Sequence, residues 1–264
     1  MGAHLTGLNV FPLKSGRGTS LEVADLGAKG LRHDREFMLI TPDGEFLSQR
    51  RFPRMALLRP SYDGALLTVR APSASAPLIH KAVDNGTIFD VTVQRKPCKG
   101  VDQGDEAAGW FSDVLGLECR LVRFSGYRPT RLGGGELAYA DGFPLLLISA
   151  ESLADLNSRL AGPLPMNRFR PNLVVEGLGP FGEDSLRLLR IGDVVIELVK
   201  PCTRCVLTTV DQDTAVKGHE PLRTLASFRN IDGKILFGQN GIPRTLGTLR
   251  VGDPVEVLER IDGS

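Results

Sequence analysis

Lys200-Pro-Cys-Thr-Arg-Cys-Val-Leu-Thr-Thr-Val-Asp211 is the stretch from which the rest of the chain is read. An apolar alternating run, Ile191 to Val199, leads into it, and a β-branched run, Val206 to Val210, leaves it. Both patterns predict strands. Two thiols, Cys202 and Cys205, are therefore expected at a tight break between strands, beside Lys200 and Arg204. Cationic neighbours favour the thiolate, the form that attacks electrophiles and binds metals.

The surrounding composition agrees with a β-rich protein. The chain has 264 residues, enough for one large β domain or two small ones. Thirty glycines and 17 prolines favour short strands and turns over a helical bundle. A net charge of +1 gives no footprint for nucleic acid. Four cysteines, at 98, 119, 202 and 205, are too few for a disulfide scaffold. The N-terminus lacks the charged and apolar regions of a signal peptide, and no apolar run approaches the ~20 residues of a membrane span. The expectation is a cytoplasmic protein with no membrane partner and no pyridoxal phosphate site.

Outward from the cysteine stretch, several segments gather polar chemistry. Residues 5 to 13 read as a strand that runs into Lys14-Ser-Gly-Arg-Gly18, a loop whose N–H groups suit an anion or simply solvent. Leu31-Arg-His-Asp-Arg-Glu36 reads as a solvated charged face or, through Arg35 beside Asp34, as a carboxylate-oriented phosphate clamp. Asn167-Arg-Phe-Arg-Pro-Asn172 precedes an apolar strand, and Asp141-Gly-Phe-Pro precedes another. Helices are predicted over Asp105 to Leu115, with Asp105 as N-cap and Gly116 beyond the end, after the cap Ser149, and over Glu220 to Phe228 with Pro221 in its first turn. Gly126 to Glu136 is a glycine-rich loop, either a lid or a connector. Strands without regular βαβ alternation argue for a barrel with attached helices.

Cys-x-x-Cys has three meanings to weigh. A structural zinc half-site needs a second pair, which Cys98 and Cys119 do not form. A thioredoxin-like dithiol needs a helix opening after the first thiol, whereas Val206 to Val210 favours a strand. The third is one thiolate ligating a metal-containing cofactor with the other thiol nearby.

The residues Cys202-Thr-Arg-Cys-Val-Leu-Thr-Thr-Val-Asp-Gln-Asp-Thr214 resemble the MOSC domain of molybdenum cofactor sulfurases, and more closely the mitochondrial amidoxime-reducing component and its bacterial relatives. The likeness extends in order through Phe11 to Ser15, His33 to Arg35, Ala138 to Asp141, Leu147 to Asn157, Asn167 to Asn172, Glu220 to Leu225, Phe237 to Gln239 and Val251 to Pro254. It implies a mainly β fold with some helices (α+β): an N-terminal MOSC-associated barrel-like domain over 1–115 and a MOSC β-barrel over 116–264. It implies molybdenum cofactor (Mo-molybdopterin), with Cys205 as metal ligand. Lys14, Ser15, Arg35, Arg170, Asn172, Thr203, Arg204, Asn240 and the backbone of Gly142 and Phe143 are the implied cofactor contacts. Asp141 falls at a carboxylate position near the metal, as proton relay or substrate orienter. Gly142-Phe143 stands where relatives often carry a hydroxylated pair, and Asn240 where the mitochondrial branch has an aromatic residue.

The activity so implied is reduction of N-hydroxylated compounds such as amidoximes, hydroxylamines or N-hydroxylated bases. The chain lacks the cysteine set of the ferredoxin-type domain found in some relatives. Electrons are therefore expected from a separate ferredoxin, flavoprotein reductase or cytochrome b5-type protein. Two other readings stay open: a persulfide sulfur carrier or sulfurtransferase, and a non-catalytic cofactor-binding module.

Overall fold

The computed structural model describes residues 2–261. Strands dominate, and the described residues include three α-helices, Asp105–Leu115, Ala150–Ser158 and Leu222–Phe228. This is the mainly β, α+β class that the sequence predicts. Fully apolar segments become strands covered on both faces. In Phe37–Ile40, Phe37 and Leu39 enter a core with Leu67 and Phe111, while Met38 and Ile40 enter another with Val91 and Tyr139. In Leu145–Ser149, Leu147 packs with Leu173 and Ile196, while Ile148 packs with Leu156 and Phe237. Burial on both sides removes the alternation that a half-solvated strand would show.

The largest sheet runs in the order Val255–Arg260, Leu186–Ile191, Val194–Thr203, Lys234–Pro243, Leu145–Ser149, Leu173–Glu176, His4–Val10, Thr19–Leu21, with Asn230–Ile231 pairing beside Lys234–Pro243. Its one parallel pairing joins Leu145–Ser149 to Leu173–Glu176, and the helix Ala150–Ser158 lies in the crossover that a parallel pair needs. Bonds from Leu5 N to Asp253 O (2.9 Å) and from Val255 N to Ala3 O (2.8 Å) join the first strand to the far end of the sheet. They close it around a core that includes Leu5, Leu189 and Ile196. A second sheet has the order Phe37–Ile40, Arg120–Ser125, Lys96–Asp102, Ile88–Val93. Smaller sheets are Gly247–Arg250 with Val23–Gly27 and Gly30–Leu31, and Arg59–Tyr62 with Leu66–Arg70 and Leu78–Lys81.

Strand pairing does not follow a single cut of the chain at 115/116. His4–Val10 pairs with Leu173–Glu176, Val23–Gly27 pairs with Gly247–Arg250, and Arg120–Ser125 returns to Phe37–Ile40. Lys14 and Ser15 therefore lie where the chain crosses from the large sheet to the second. Among the described residues no helix is long and apolar enough to cross a membrane.

Several local expectations are corrected. The run Ile191 to Val199 is not one strand: Ile191 ends one strand, Gly192 turns with φ 54°, and Val194 begins the next. That strand continues to Thr203, so Cys202 lies on it and the break falls at Arg204. Val206–Thr209 is a 3-10 turn rather than a strand. There Thr208 Oγ1 donates to Cys205 O (3.0 Å) and Thr209 Oγ1 to Val206 O (2.8 Å), so local hydroxyl bonds and packing override β propensity. Gly104, not Asp105, is the N-cap of the first helix, and Asp105 instead pairs with Arg120 at 2.8 Å. Gly116 adopts the left-handed conformation expected beyond that helix's end.

Candidate functional site

A cavity of about 1000 Å³ opens at the seam between the two large sheets. Every cofactor, metal and carboxylate position that the resemblance implies lines it: Lys14, Ser15, Arg35, Asp141, Gly142, Phe143, Arg170, Asn172, Thr203, Arg204, Cys205 and Asn240. These come from six separate stretches of chain. Most lie just beyond or just before a strand of the large sheet or the second sheet; Thr203 ends one strand and Asn240 lies within another. The lining holds nine lysines and arginines against one carboxylate, in a protein whose net charge is +1. Such a concentration of cations over low-dielectric walls is a site for an anion.

The cavity floor is built from backbone-anchored cations. Arg170 is buried and donates to Gly16 O at 2.5 Å. Arg35 is ion-paired to the buried Asp34, whose other oxygen accepts from Phe11 N at 2.9 Å. Arg35 also donates to Asn172 Oδ1 at 3.1 Å, and Asn172 Nδ2 donates to Asn9 O at 3.1 Å. Both guanidinium carbons, of Arg35 and Arg170, lie 4.2 Å from the Phe11 ring centroid. Gly18 is required beside that ring, because a Cβ there would fall 2.4 Å from a Phe11 carbon. Ser15, Arg35 and Arg170 all have positive φ (64°, 52° and 58°). Left-handed backbone at non-glycine residues costs energy and persists where the surroundings over-determine it, characteristically at binding sites.

The sulfur side is built from side chains facing one another. The strand Val194–Thr203 slips register against Lys234–Pro243 between Leu198 and Lys200 and again between Pro201 and Thr203. Bulges of this kind accommodate Pro201 and re-aim side chains beside a site. Arg204 donates to Cys202 Sγ at 3.1 Å and to Phe169 O at 2.6 Å. Arg50 donates through Nε to Cys205 Sγ at 3.3 Å and through Nη2 to Asp141 Oδ2 at 3.1 Å. Lys14, ion-paired to the other oxygen of Asp141, also donates to Tyr139 O at 2.8 Å.

The charges respond to this crowding. Burial pushes Arg170 down to about 9, and the nearby Arg35 adds to the effect, although Arg170 remains cationic at neutral pH. Burial likewise lowers Lys14, with Asp141 opposing. Burial alone would raise Asp141, but Lys14 and Arg50 overcome it and hold the carboxyl well below the usual range. Asp141 is half exposed by area, yet it lies among many protein atoms because its open surface faces the cavity. The paired carboxylate is ionised at neutral pH. A bound dianion would relieve the mutual repulsion of the floor cations.

The donor set fits a phosphate-bearing, metal-containing cofactor. Arg204 Nε is buried with no protein partner. Among the described residues no three His, Cys, Asp or Glu side chains come together as a metal cage.

The sequence matches the MOSC N-terminal beta barrel domain over residues 2–118 and the MOSC domain over residues 134–256. It is 37% identical to human mitochondrial amidoxime-reducing component 1 over 94% of this chain and 81% of that protein. It is 36% identical to the mouse protein of the same name, over 94% of this chain and 80% of that one. The chain belongs to the MOSC family. A rice molybdenum cofactor sulfurase is also 36% identical over 89% of this chain, but that match spans only 32% of the rice protein.

The structure of this MOSC protein refines individual residues. Asn240 lines the cavity, but its Nδ2 is engaged by Lys200 O and Pro201 O, each at 3.3 Å, which ties it to the cysteine strand. Arg128, in the loop 126–136, is buried and donates to Ala138 O and Ala140 O at 2.8 and 2.6 Å, pinning the approach to Asp141. Arg131 and Leu132 of the same loop reach the cavity. His33 is a half-buried partner of Glu36 at 3.0 Å rather than a surface group. Arg50 was not legible: it sits in Ser48-Gln-Arg-Arg51, a polar run of ordinary appearance, and meets Cys205 only through tertiary folding 155 residues away.

Proposed function

We propose that this MOSC protein is a molybdenum-cofactor-dependent reductase of N-hydroxylated compounds. The observation that carries the reading is one cysteine sulfur, Cys205, set in a cation-lined cavity, in a chain similar along almost its whole length to amidoxime-reducing components. When bound, the cofactor supplies two-electron oxygen-atom chemistry, and the protein supplies position and electrostatics. Lys14, Ser15, Arg35, Arg170 and Arg204 hold its phosphate, which planar guanidinium forks and backbone N–H groups suit. Asn172, Thr203 and the Gly142-Phe143 backbone fix the pterin, and Cys205 binds the metal.

Asp141 acts here as a substrate orienter. Its carboxylate, held ionised by Lys14 and Arg50, accepts from an N–H or O–H of the substrate and is a poor proton donor at neutral pH. Electrons come from a separate donor protein. The test is metal and pterin analysis of wild type and Cys205→Ser from a host that makes the cofactor, followed by benzamidoxime reduction with a chemical electron donor. The reading expects molybdenum in wild type, its loss in the variant, and turnover. A molybdenum-loaded wild type inert towards every N–O substrate tried would sink it.

The similarity to a molybdenum cofactor sulfurase, with a guanidinium beside each of Cys202 and Cys205, favours a second reading as a persulfide carrier. Mass spectrometry after incubation with a cysteine desulfurase separates the two. A gain of one sulfur atom by a metal-free protein belongs to the carrier.

A further inference from the structure

Arg50 has all three guanidinium nitrogens engaged at the mouth of the cavity. Nε donates to Cys205 Sγ at 3.3 Å and Nη2 to Asp141 Oδ2 at 3.1 Å. With the Gln94 amide oriented to satisfy both partners, its oxygen accepts from Arg50 Nη1 at 2.9 Å. An exposed arginine in a surface ion pair contributes little and keeps its rotamer freedom. Arg50 is held otherwise, from its backbone outward. Its neighbour Gln49 is fully buried, donates to Ser15 O at 2.8 Å, and exchanges amide bonds with Gln212 at 3.0 and 3.2 Å. The Arg50 carbonyl itself accepts from Lys217 Nζ at 2.5 Å. Gln94 presents its amide from a hairpin tip that joins Ile88–Val93 to Lys96–Asp102, with positive φ at both Gln94 and Arg95. Three separate stretches of chain thus converge to aim one planar fork at a sulfur and a carboxylate.

The geometry points to Arg50 as a positioning residue that fixes the Cys205 sulfur relative to Asp141 and, by donating a hydrogen bond to that sulfur, tunes the bound metal. The inference rests on reading Cys205 as the metal ligand. Hydrogen bonds to a ligating sulfur draw charge from it and favour the lower oxidation state of the metal, which raises the reduction potential. Groups behind a metal ligand typically change affinity or activity 10- to 100-fold when removed. Lysine cannot replace Arg50, because an ammonium keeps the charge and loses the fork.

The experiment compares molybdenum-loaded wild type with Arg50→Lys and Arg50→Gln, each checked for native circular dichroism. Molybdenum content should stay within about twofold, because the floor residues are untouched. The metal's midpoint potential should fall in both variants, its paramagnetic-resonance signal should shift, and kcat should drop about 10- to 100-fold with little change in KM. An unchanged potential and signal in a loaded variant would overturn the proposal. A second arm needs no metal. In the nitrogen-labelled apoprotein, the side-chain Nε–H resonance that disappears in Arg50→Lys should shift in Cys205→Ala, and no shift also overturns the proposal. Wild type without molybdenum would remove the reductase reading, while the resonance arm still decides the contact.

Discussion

The floor of the cavity and its sulfur side are both rich in arginine, but they are built on different principles. On the floor, Arg170 and Arg35 are tied to a backbone carbonyl, the buried Asp34 and Asn172, on left-handed backbone, and both stack against Phe11. On the sulfur side, Arg50, Arg204 and Asp141 meet mainly through side-chain tips on half-open surface, with the buried Lys14 behind the carboxylate. The floor is a fixed receptor whose parts also hold the fold together. The partly exposed members of the sulfur side, Arg50 and Cys205, are expected to tolerate substitution with the fold intact. A receptor for an anion needs rigidity, whereas a centre that is adjusted needs separable contacts.

Breaking the floor should have the largest effect. Arg35→Ala leaves Asp34 buried without its cation, and removing one partner of a buried pair costs about 3–5 kcal/mol. Urea unfolding should show that loss, and the purified variant should carry no cofactor. Loss of cofactor with unchanged stability would mean that the floor is not part of the scaffold.

On the sulfur side, Cys205→Ser should lose at least about tenfold in retained molybdenum, as loss of a ligand exceeds the loss expected for a supporting residue. Its urea midpoint should stay near that of wild type, since Cys205 is only partly buried. A large fall in stability would erase the contrast between the two regions.

Asp141→Asn should lower kcat/KM about 10- to 100-fold, as expected for a hydrogen bond to a charged group worth about 1.5–3 kcal/mol. Its effect on stability should depend on pH in a defined sense. The folded carboxyl lies below its ordinary 3.8, so its contribution is fully present above that value and fades as pH falls below it. The difference in unfolding free energy between wild type and Asp141→Asn should therefore be flat from neutral pH to about 4 and change only in stronger acid.

The smallest effect belongs to Asn240→Ala. It removes two long bonds to the carbonyls of Lys200 and Pro201 and should cost about 1 kcal/mol of stability, with molybdenum content changed less than twofold. A severe loss of cofactor would move Asn240 from the sulfur side's support to the binding floor itself.

Local pattern made much of this legible. Ser149 is the N-cap of Ala150–Ser158 and accepts from Ser152 N, as its position before a helical pattern suggests. Asp34 and Arg35 pair as adjacent charges. The sequence was misread where neighbours in space overrule local preference. Val206–Thr209 turns into a 3-10 segment because its hydroxyls bond local carbonyls and Arg168 takes Thr209 O at 3.1 Å. Asp105 gave up its expected capping role while Arg120, from the next strand, took its carboxylate.

By itself, the sequence determined that the chain is rich in strands with few helices, that Ser149 caps one of those helices, and that two cysteines lie among cations. Those properties follow from short-range preference, burial period and residue chemistry, all of which are local. Tertiary structure decided the rest. The exchange of strands across 115/116 brings Lys14, Asp141, Arg170 and Cys205 to one seam, and Arg50 meets a sulfur 155 residues away. Closing long loops and choosing sheet partners depend on the whole chain's packing and on satisfying buried backbone groups, which no short window of sequence contains.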